Sequence, residues 1–110
     1  MFVYNVTLNM EPIIEGEAVI WMENVFIPLV MKRGSFHEFQ VCKLKFIDQE
    51  NPAYAIQFYC SNEEDKGFLL NDGQSKYIDK VFETWGLQVM PFATVMDIIK
   101  PAYLSFIHQN

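Results

Sequence analysis

Basic charge is scarce in this chain: 8 Lys and Arg stand against 14 Asp and Glu over 110 residues, a formal net charge of −6. Such a chain has no positive field to offer a nucleic-acid backbone or an anionic membrane, so neither is expected as a partner. Cysteine is nearly absent. Cys42 and Cys60 have neither CxxC spacing nor the density of a disulfide scaffold, and they read as small buried hydrophobes with reduced thiols. Depending on hairpin register the two face each other across a strand pair or do not. No apolar run reaches the ~18–20 residues that span a bilayer. Met1 to Met10 carry no basic group and alternate apolar with polar, unlike a secretory leader, so a cytoplasmic protein is expected.

The groups that chemistry needs are equally thin. His37 and His108 are the only histidines, and neither has a companion at metal-ligand spacing. No nucleophile has a base and an orienting group beside it, and there is no glycine-rich phosphate loop. Glu63-Glu64-Asp65 is an acidic run suited to a helix N-terminus rather than an acid/base pair. The expectation is no catalytic residue, no metal and no cofactor.

Aromatic bulk is plentiful instead. Ten Phe, five Tyr and two Trp bring aromatics to 15% within a chain that is 51% hydrophobic, which excludes disorder and suits a single domain over 1–110. The chain opens on a period of two, with Phe2, Tyr4, Val6, Leu8 and Met10 on one face, as in a strand. Pro12 fits a first helical turn, and Ile14, Ala18, Trp21, Val25 and Leu29 form a helical stripe. Pro28 is expected to kink that helix, and Lys32-Arg33-Gly34 to end it. Phe36 to Ile47 and Ala53 to Cys60 read as a hairpin around Asp48 to Pro52. Ser61 to Glu64 reads as a capping box with Ser61 at the cap. A short helix follows to about Leu70, then turn residues Asn71-Asp72-Gly73, then a helix from about Gln74 to Trp85, stopped by Gly86. Leu87 to Met96 is a last strand that Pro91 marks as an edge or bulged element. The tail 97–110 is apolar and expected to dock on the domain or on a dimer mate.

This order, β-α-β-β-α-β, predicts an α+β, ferredoxin-like antiparallel sheet with both helices on one face. The helices are expected to cover the face carrying Tyr4, Val6, Leu8, Cys42, Leu44, Ile56, Phe58, Leu87 and Val89. The other face then holds Asn5, Thr7, His37, Phe39, Val41, Gln57, Tyr59, Met90, Phe92 and Thr94, a mixture of large apolar and uncharged polar groups. Three readings of that face stay open. It is an ordinary half-wet sheet; or it buries itself against a second copy as a dimeric α/β barrel; or the barrel interior holds a small molecule on Asn5, Thr7, His37, Phe39, Gln57, Tyr59, Phe92 and Thr94.

Tyr4-Asn5-Val6-Thr7, the Trp21 helix with Ile27-Pro28 and then Gly34-Ser35-Phe36, Tyr54-Ala55-Ile56-Gln57-Phe58, and Phe92-Ala93-Thr94 occur in an order that resembles a family of small bacterial (Bacteroidetes-type) proteins of unknown function. The resemblance covers most of the chain. It implies a ferredoxin-like fold similar to the dimeric α/β-barrel superfamily, whose members include cofactor-independent monooxygenases, haem-degrading enzymes and proteins that only bind or dimerise. It brings no activity with it. The chain departs from the family pattern at Phe26, where a His is expected before Ile27-Pro28.

The leading functional expectation is therefore an uncharacterised homodimer that binds a small molecule or associates without catalysis. The alternative is a cofactor-independent monooxygenase-like enzyme with Asn5, Trp21 or His37 in an enclosed pocket. A third reading is an adaptor whose tail docks on a different protein.

Overall fold

The computed structural model describes residues 1–100, in which β1 (Phe2–Met10), β2 (Phe36–Lys43), β3 (Ala53–Cys60) and β4 (Val89–Asp97) form one sheet. Every pairing is antiparallel, and the order across the sheet is β2-β3-β1-β4. β1 and β3 are thus central and β2 and β4 are edges. Pro91 lies in β4 opposite Leu8, on an edge strand where its missing N–H is tolerated.

The helical layer covers the face defined by Phe2, Tyr4, Val6, Leu8 and Met10, all fully buried. A 3-10 turn, Pro12–Ile14, leads into α1 (Glu15–Trp21), a π turn over Met22–Phe26, and α2 (Ile27–Met31). The kink expected from Pro28 takes the form of that π turn, in which the Ile27 N–H bonds to Met22 O five residues back. The wider turn rotates the buried stripe. Ala18, Met22, Phe26 and Val30 carry the burial at four-residue steps, while Val25 of the expected stripe is exposed. Ile14, Trp21 and Leu29 pack partly buried at the margin of the core. Gly34 at φ 87 ends the helix in a conformation a side chain would resist, and β2 follows.

The second helical stretch starts one residue later than its capping box suggests. Asn62, not Ser61, is the cap: its side-chain oxygen accepts from the N–H groups of Glu64 (2.8 Å) and Asp65 (3.3 Å). After α3 (Glu63–Phe68) the turn residues Asn71, Asp72 and Gly73 fall in a second π turn, Leu69–Gly73, where Asn71 leaves helical geometry at φ −90, ψ −122. Then α4 (Ser75–Trp85) runs to Gly86 at φ 58. Leu87 is not in the last strand but in a 3-10 turn before it, and it is exposed. β2 stops at Lys43, so Leu44 and Phe46 lie beyond the strand, and Phe46 is exposed. Asp97, expected to begin the tail, is the last residue of β4, and Ile98 N–H donates to Met1 O at 3.0 Å. Residues 101–110, with the rest of the expected tail and His108, lie outside the described residues.

Most of the aromatic content converges in one core. Phe58 stacks on Tyr4 (6.1 Å) and meets Phe26, Phe36 and Phe39. Trp21 joins Phe26 to Trp85, which it meets edge-on at 6.1 Å. Phe26, at the position where a His was expected, is fully buried in this cluster. Tyr4 is fully buried with its hydroxyl unpartnered among the described residues. Burial, reinforced by Tyr77 beside it, pushes its phenol far above the ordinary range.

One carboxylate ties the two helical stretches together. Asp65, buried at the start of α3, accepts from Arg33 Nε, and the Arg33 guanidinium lies 3.7 Å from the Phe68 ring centre. Burial alone would raise the Asp65 carboxyl. Hydrogen bonds from Ser35 and Arg33, with the guanidinium charge, outweigh it and hold the carboxyl below the usual range. Because the folded-state value is lowered, the stabilisation is present above the unfolded value of about 3.9 and disappears as pH falls through the folded one. Asp65→Asn is expected to be less stable than wild type at pH 7, the two curves converging below about pH 4. Urea unfolding midpoints measured from pH 7 to pH 2.5 check this; a gap that persists unchanged at the lowest pH would refute it.

Candidate functional site

Because side chains alternate across a strand and opposed residues share a face, the pairing register defines the face that the helices leave open. β1 contributes Val3, Asn5, Thr7 and Asn9; β3 contributes Ala53, Ala55, Gln57 and Tyr59; β4 contributes Met90, Phe92, Thr94 and Met96. β2 adds Glu38, Gln40 and Cys42.

A bulge changes the membership of that last group. Phe36 opposes Cys60 but Glu38 opposes Tyr59, so His37 is an extra residue with no partner across the strand. After this insertion Phe39 opposes Phe58 and Val41 opposes Ile56, which places both with the helix-side residues. The Phe39–Phe58 ring contact at 6.4 Å agrees. The expectation that Phe39 and Val41 belong to the open face is therefore corrected, and so is the expectation that Cys42 is a buried helix-side residue. Cys42 is exposed opposite Ala55, whereas Cys60 is buried opposite Phe36; they sit in different rows on opposite faces and do not pair. Burial raises the Cys60 thiol.

Six of the eight candidate ligand residues, Asn5, Thr7, Gln57, Tyr59, Phe92 and Thr94, do share the open face. His37 sits in the bulge of the edge strand, and Phe39 is turned away. The register adds a residue that the alternation did not offer. Gln40 opposes Gln57, Gln57 opposes Asn5, and Asn5 opposes Thr94, making one uncharged polar row across all four strands. Gln40 Nε2 donates to Gln57 Oε1 at 2.8 Å, and Asn5 Nδ2 to Thr7 Oγ1 at 3.3 Å. On one side of this row lie Cys42, Ala55, Thr7 and Phe92; on the other lie Glu38, Tyr59, Val3 and Met96. Phe92 is 62% exposed and Met96 41%. Val3, Ala53 and Ala55 are buried low among larger neighbours.

Charge is nearly missing from this surface: of the fifteen strand residues on it, Glu38 at the β2 edge is the one acidic or basic residue. The ionic contacts lie elsewhere. Glu15 accepts from the Tyr54 hydroxyl (2.6 Å) and pairs with Lys43 (3.0 Å), binding α1 to the β2–β3 hairpin. The Tyr54 hydrogen bond, then the Lys43 contact, lower the Glu15 carboxyl. Lys66 bridges Glu63 and Asp97. A shallow hollow of about 490 Å³ at the α3–α4 junction is lined by Phe68, Asn71, Asp72, Gly73 and Lys76. Among the described residues, no group of three or more His, Cys, Asp or Glu is placed to hold a metal, and no helix is long and apolar enough to cross a membrane.

A four-stranded antiparallel sheet with its helices gathered on one face is an α+β, ferredoxin-like fold. The chain belongs to the family described as Domain of unknown function (DUF4286), whose model matches residues 1–99. No curated protein matches the sequence. Solved structures that are similar include an ethyl tert-butyl ether d (ethd) family protein from Bacillus halodurans, at TM-score 0.60 and 13% identity, covering 90% of this chain and 100% of that one. A dimeric ferredoxin-like protein from an uncultured marine organism has TM-score 0.56 and 14% identity, covering 92% and 97%. A protein named as an antibiotic biosynthesis monooxygenase, from Deinococcus radiodurans, has TM-score 0.59 and 15% identity, covering 93% and 96%. At these identities the likeness is one of fold.

Proposed function

We propose that the open sheet face is a self-association surface and that the protein is a homodimer, closed face to face as an α/β barrel, which binds or associates without chemistry of its own. The observation that carries this is a nearly uncharged face with exposed Phe92, Met90 and Met96, on a chain whose net charge is −6. Two copies repel one another wherever acidic groups meet, and this face brings the fewest of them together. Strands spaced by about 4.8 Å and rising about 3.3 Å per residue give a four-stranded, nine-residue face of about 19 × 30 Å. With side-chain relief this is of the order of the roughly 800 Å² per partner found in stable complexes. The dimeric description of a fold neighbour supports the same reading.

Within it, Asn5, Thr7, Gln57, Tyr59, Phe92 and Thr94 are the groups that would orient a small molecule held between the copies; His37 and Phe39 are not among them. The whole chain is taken as one cytoplasmic domain. The alternative of a monooxygenase-like enzyme has less behind it. Asn5 is on the open face, Trp21 packs on the helix side against Phe26 and Trp85, and His37 is in the edge bulge, so the three do not converge.

Native mass spectrometry of the purified protein at micromolar concentration, with a denatured control, tests the proposal. A dimer is expected. Reproducible extra mass lost on denaturation would assign the interior to a ligand, and a monomer would overturn the self-association reading.

A further inference from the structure

We infer that the polar row Gln40–Gln57–Asn5–Thr94 is the element by which the open face recognises a second copy of itself and sets the register of the dimer; this rests on the self-association reading above. The row crosses the full width of the sheet at a single level. Its own hydrogen bonds, Gln40 to Gln57 and to Cys42 Sγ (3.8 Å) and Asn5 to Thr7, use only part of its capacity. A primary amide has two donors and an acceptor oxygen with two lone pairs, and a hydroxyl both gives and takes. The Gln57 N–H groups, the Gln40 oxygen, the second lone pair of Gln57 Oε1, the Asn5 oxygen and the Thr94 hydroxyl are left for what covers the face.

What covers it must answer those groups, because a buried amide without a partner costs about 1–3 kcal/mol. A purely apolar partner surface would strand the row. An ionic one would be desolvated against Phe92, Ala55 and Val3. A second copy brings donors and acceptors of the same kind in the same arrangement, and a two-fold interface sets the same patch against itself. The rows on either side offer an amide fewer partners: the Thr7 hydroxyl on one, Tyr59 and the Glu38 carboxylate on the other. A slip of one row therefore places most of the amides against Cys42, Ala55 and Phe92 or against Val3 and Met96. The amides then penalise every register except the one in which the two rows meet, as a single buried Asn does in a coiled coil. Affinity comes from the apolar flanks, and selectivity from the row.

The experiment separates these roles. A spin label is placed at Lys76→Cys on exposed α4, in a Cys42→Ser background. Inter-protomer distances are measured by pulsed electron resonance, and stoichiometry by native mass spectrometry. With the row intact, one narrow distance distribution is expected. The variant Gln40→Leu/Gln57→Leu/Asn5→Val/Thr94→Val is expected to remain associated but to show a broad or multiple distribution. Gln57→Leu alone, which leaves Asn5 and Gln40 without their neighbour, is expected to weaken the dimer about tenfold, corresponding to about 1.4 kcal/mol. A row variant that keeps the single wild-type distance would overturn the inference while leaving the dimer in place. So would a row variant that is monomeric where wild type is dimeric, since the row would then be the source of affinity. A monomeric wild type would instead sink the self-association reading itself. Circular dichroism of each variant confirms the fold, and Thr94→Val with Gln57 intact supplies a milder substitution if the fourfold variant does not fold.

Discussion

Phe92→Glu is expected to yield a folded monomer. Phe92 stands 62% exposed on edge strand β4, opposite Thr7, so the isolated protomer loses little when it is replaced. In a face-to-face dimer the same substitution buries two new carboxylates, one from each copy, with no cation among the described strand residues of the open face to pair them. Desolvating an unpaired charge costs several kcal/mol. A loss of at least ~100-fold in dimer affinity follows, since each 1.4 kcal/mol is tenfold. Sedimentation velocity across a dilution series reads the stoichiometry, and far-ultraviolet circular dichroism reads the fold. An unchanged dimer would move the interface away from this face, toward an edge strand or the helical layer.

Phe58→Ala is expected to bring the largest loss of stability. Phe58 is fully buried on the central strand β3 and its ring meets those of Tyr4, Phe26, Phe36 and Phe39. Truncation of a core phenylalanine costs about 3–5 kcal/mol, because the neighbours collapse only partly into the space left. Rings fixed by one another in this way have little room to relax. Set against a typical total of about 5–15 kcal/mol, the variant is left marginal. The thermal midpoint is expected to fall by about 12–20 °C, at about 4 °C for each kcal/mol in a domain near this size. The comparison belongs at one fixed protein concentration, because dimerisation adds to apparent stability. A fall of only a few degrees would mean that the aromatic cluster repacks freely.

Strand alternation places both Phe58 and Phe92. Phe58 as a core residue follows from the alternation Tyr54, Ile56, Phe58 and from β-formers around it. Phe92 as an open-face residue follows from its strand as well, once Leu8 and Val6 are known to face the helices. Strand β2 is the contrary case. After Phe36 its apolar residues are divided between the two parities, Phe39 and Val41 on one and Cys42 on the other, so no pattern of hydrophobicity selects a face. A single inserted residue at His37 then decides, because the side-chain period is two and a one-residue shift exchanges the faces. The bulge moved Phe39 to the helix side of the sheet, where it stays partly exposed, and brought Gln40 into line with Gln57, and for that reason the polar row could not be seen as a row along the chain. The first helix shows the same effect on a smaller scale. Its four-residue stripe was legible, but the π turn before Pro28 exchanged Val25 for Met22 and Phe26.

What the sequence by itself determined was four strands with helical stretches between them, and the strong alternation of β1 and β3. These are local properties: periodicity, turn chemistry and residue type act over a few neighbours. Tertiary structure alone decided the bulge at His37, the pairing of Arg33 with Asp65 across 32 residues of chain, and the register that sets Gln40, Gln57, Asn5 and Thr94 in one line. Each of these joins residues far apart in the chain. Their positions are chosen by the free energy of packing a whole face against its neighbours, a quantity that no short window of sequence contains.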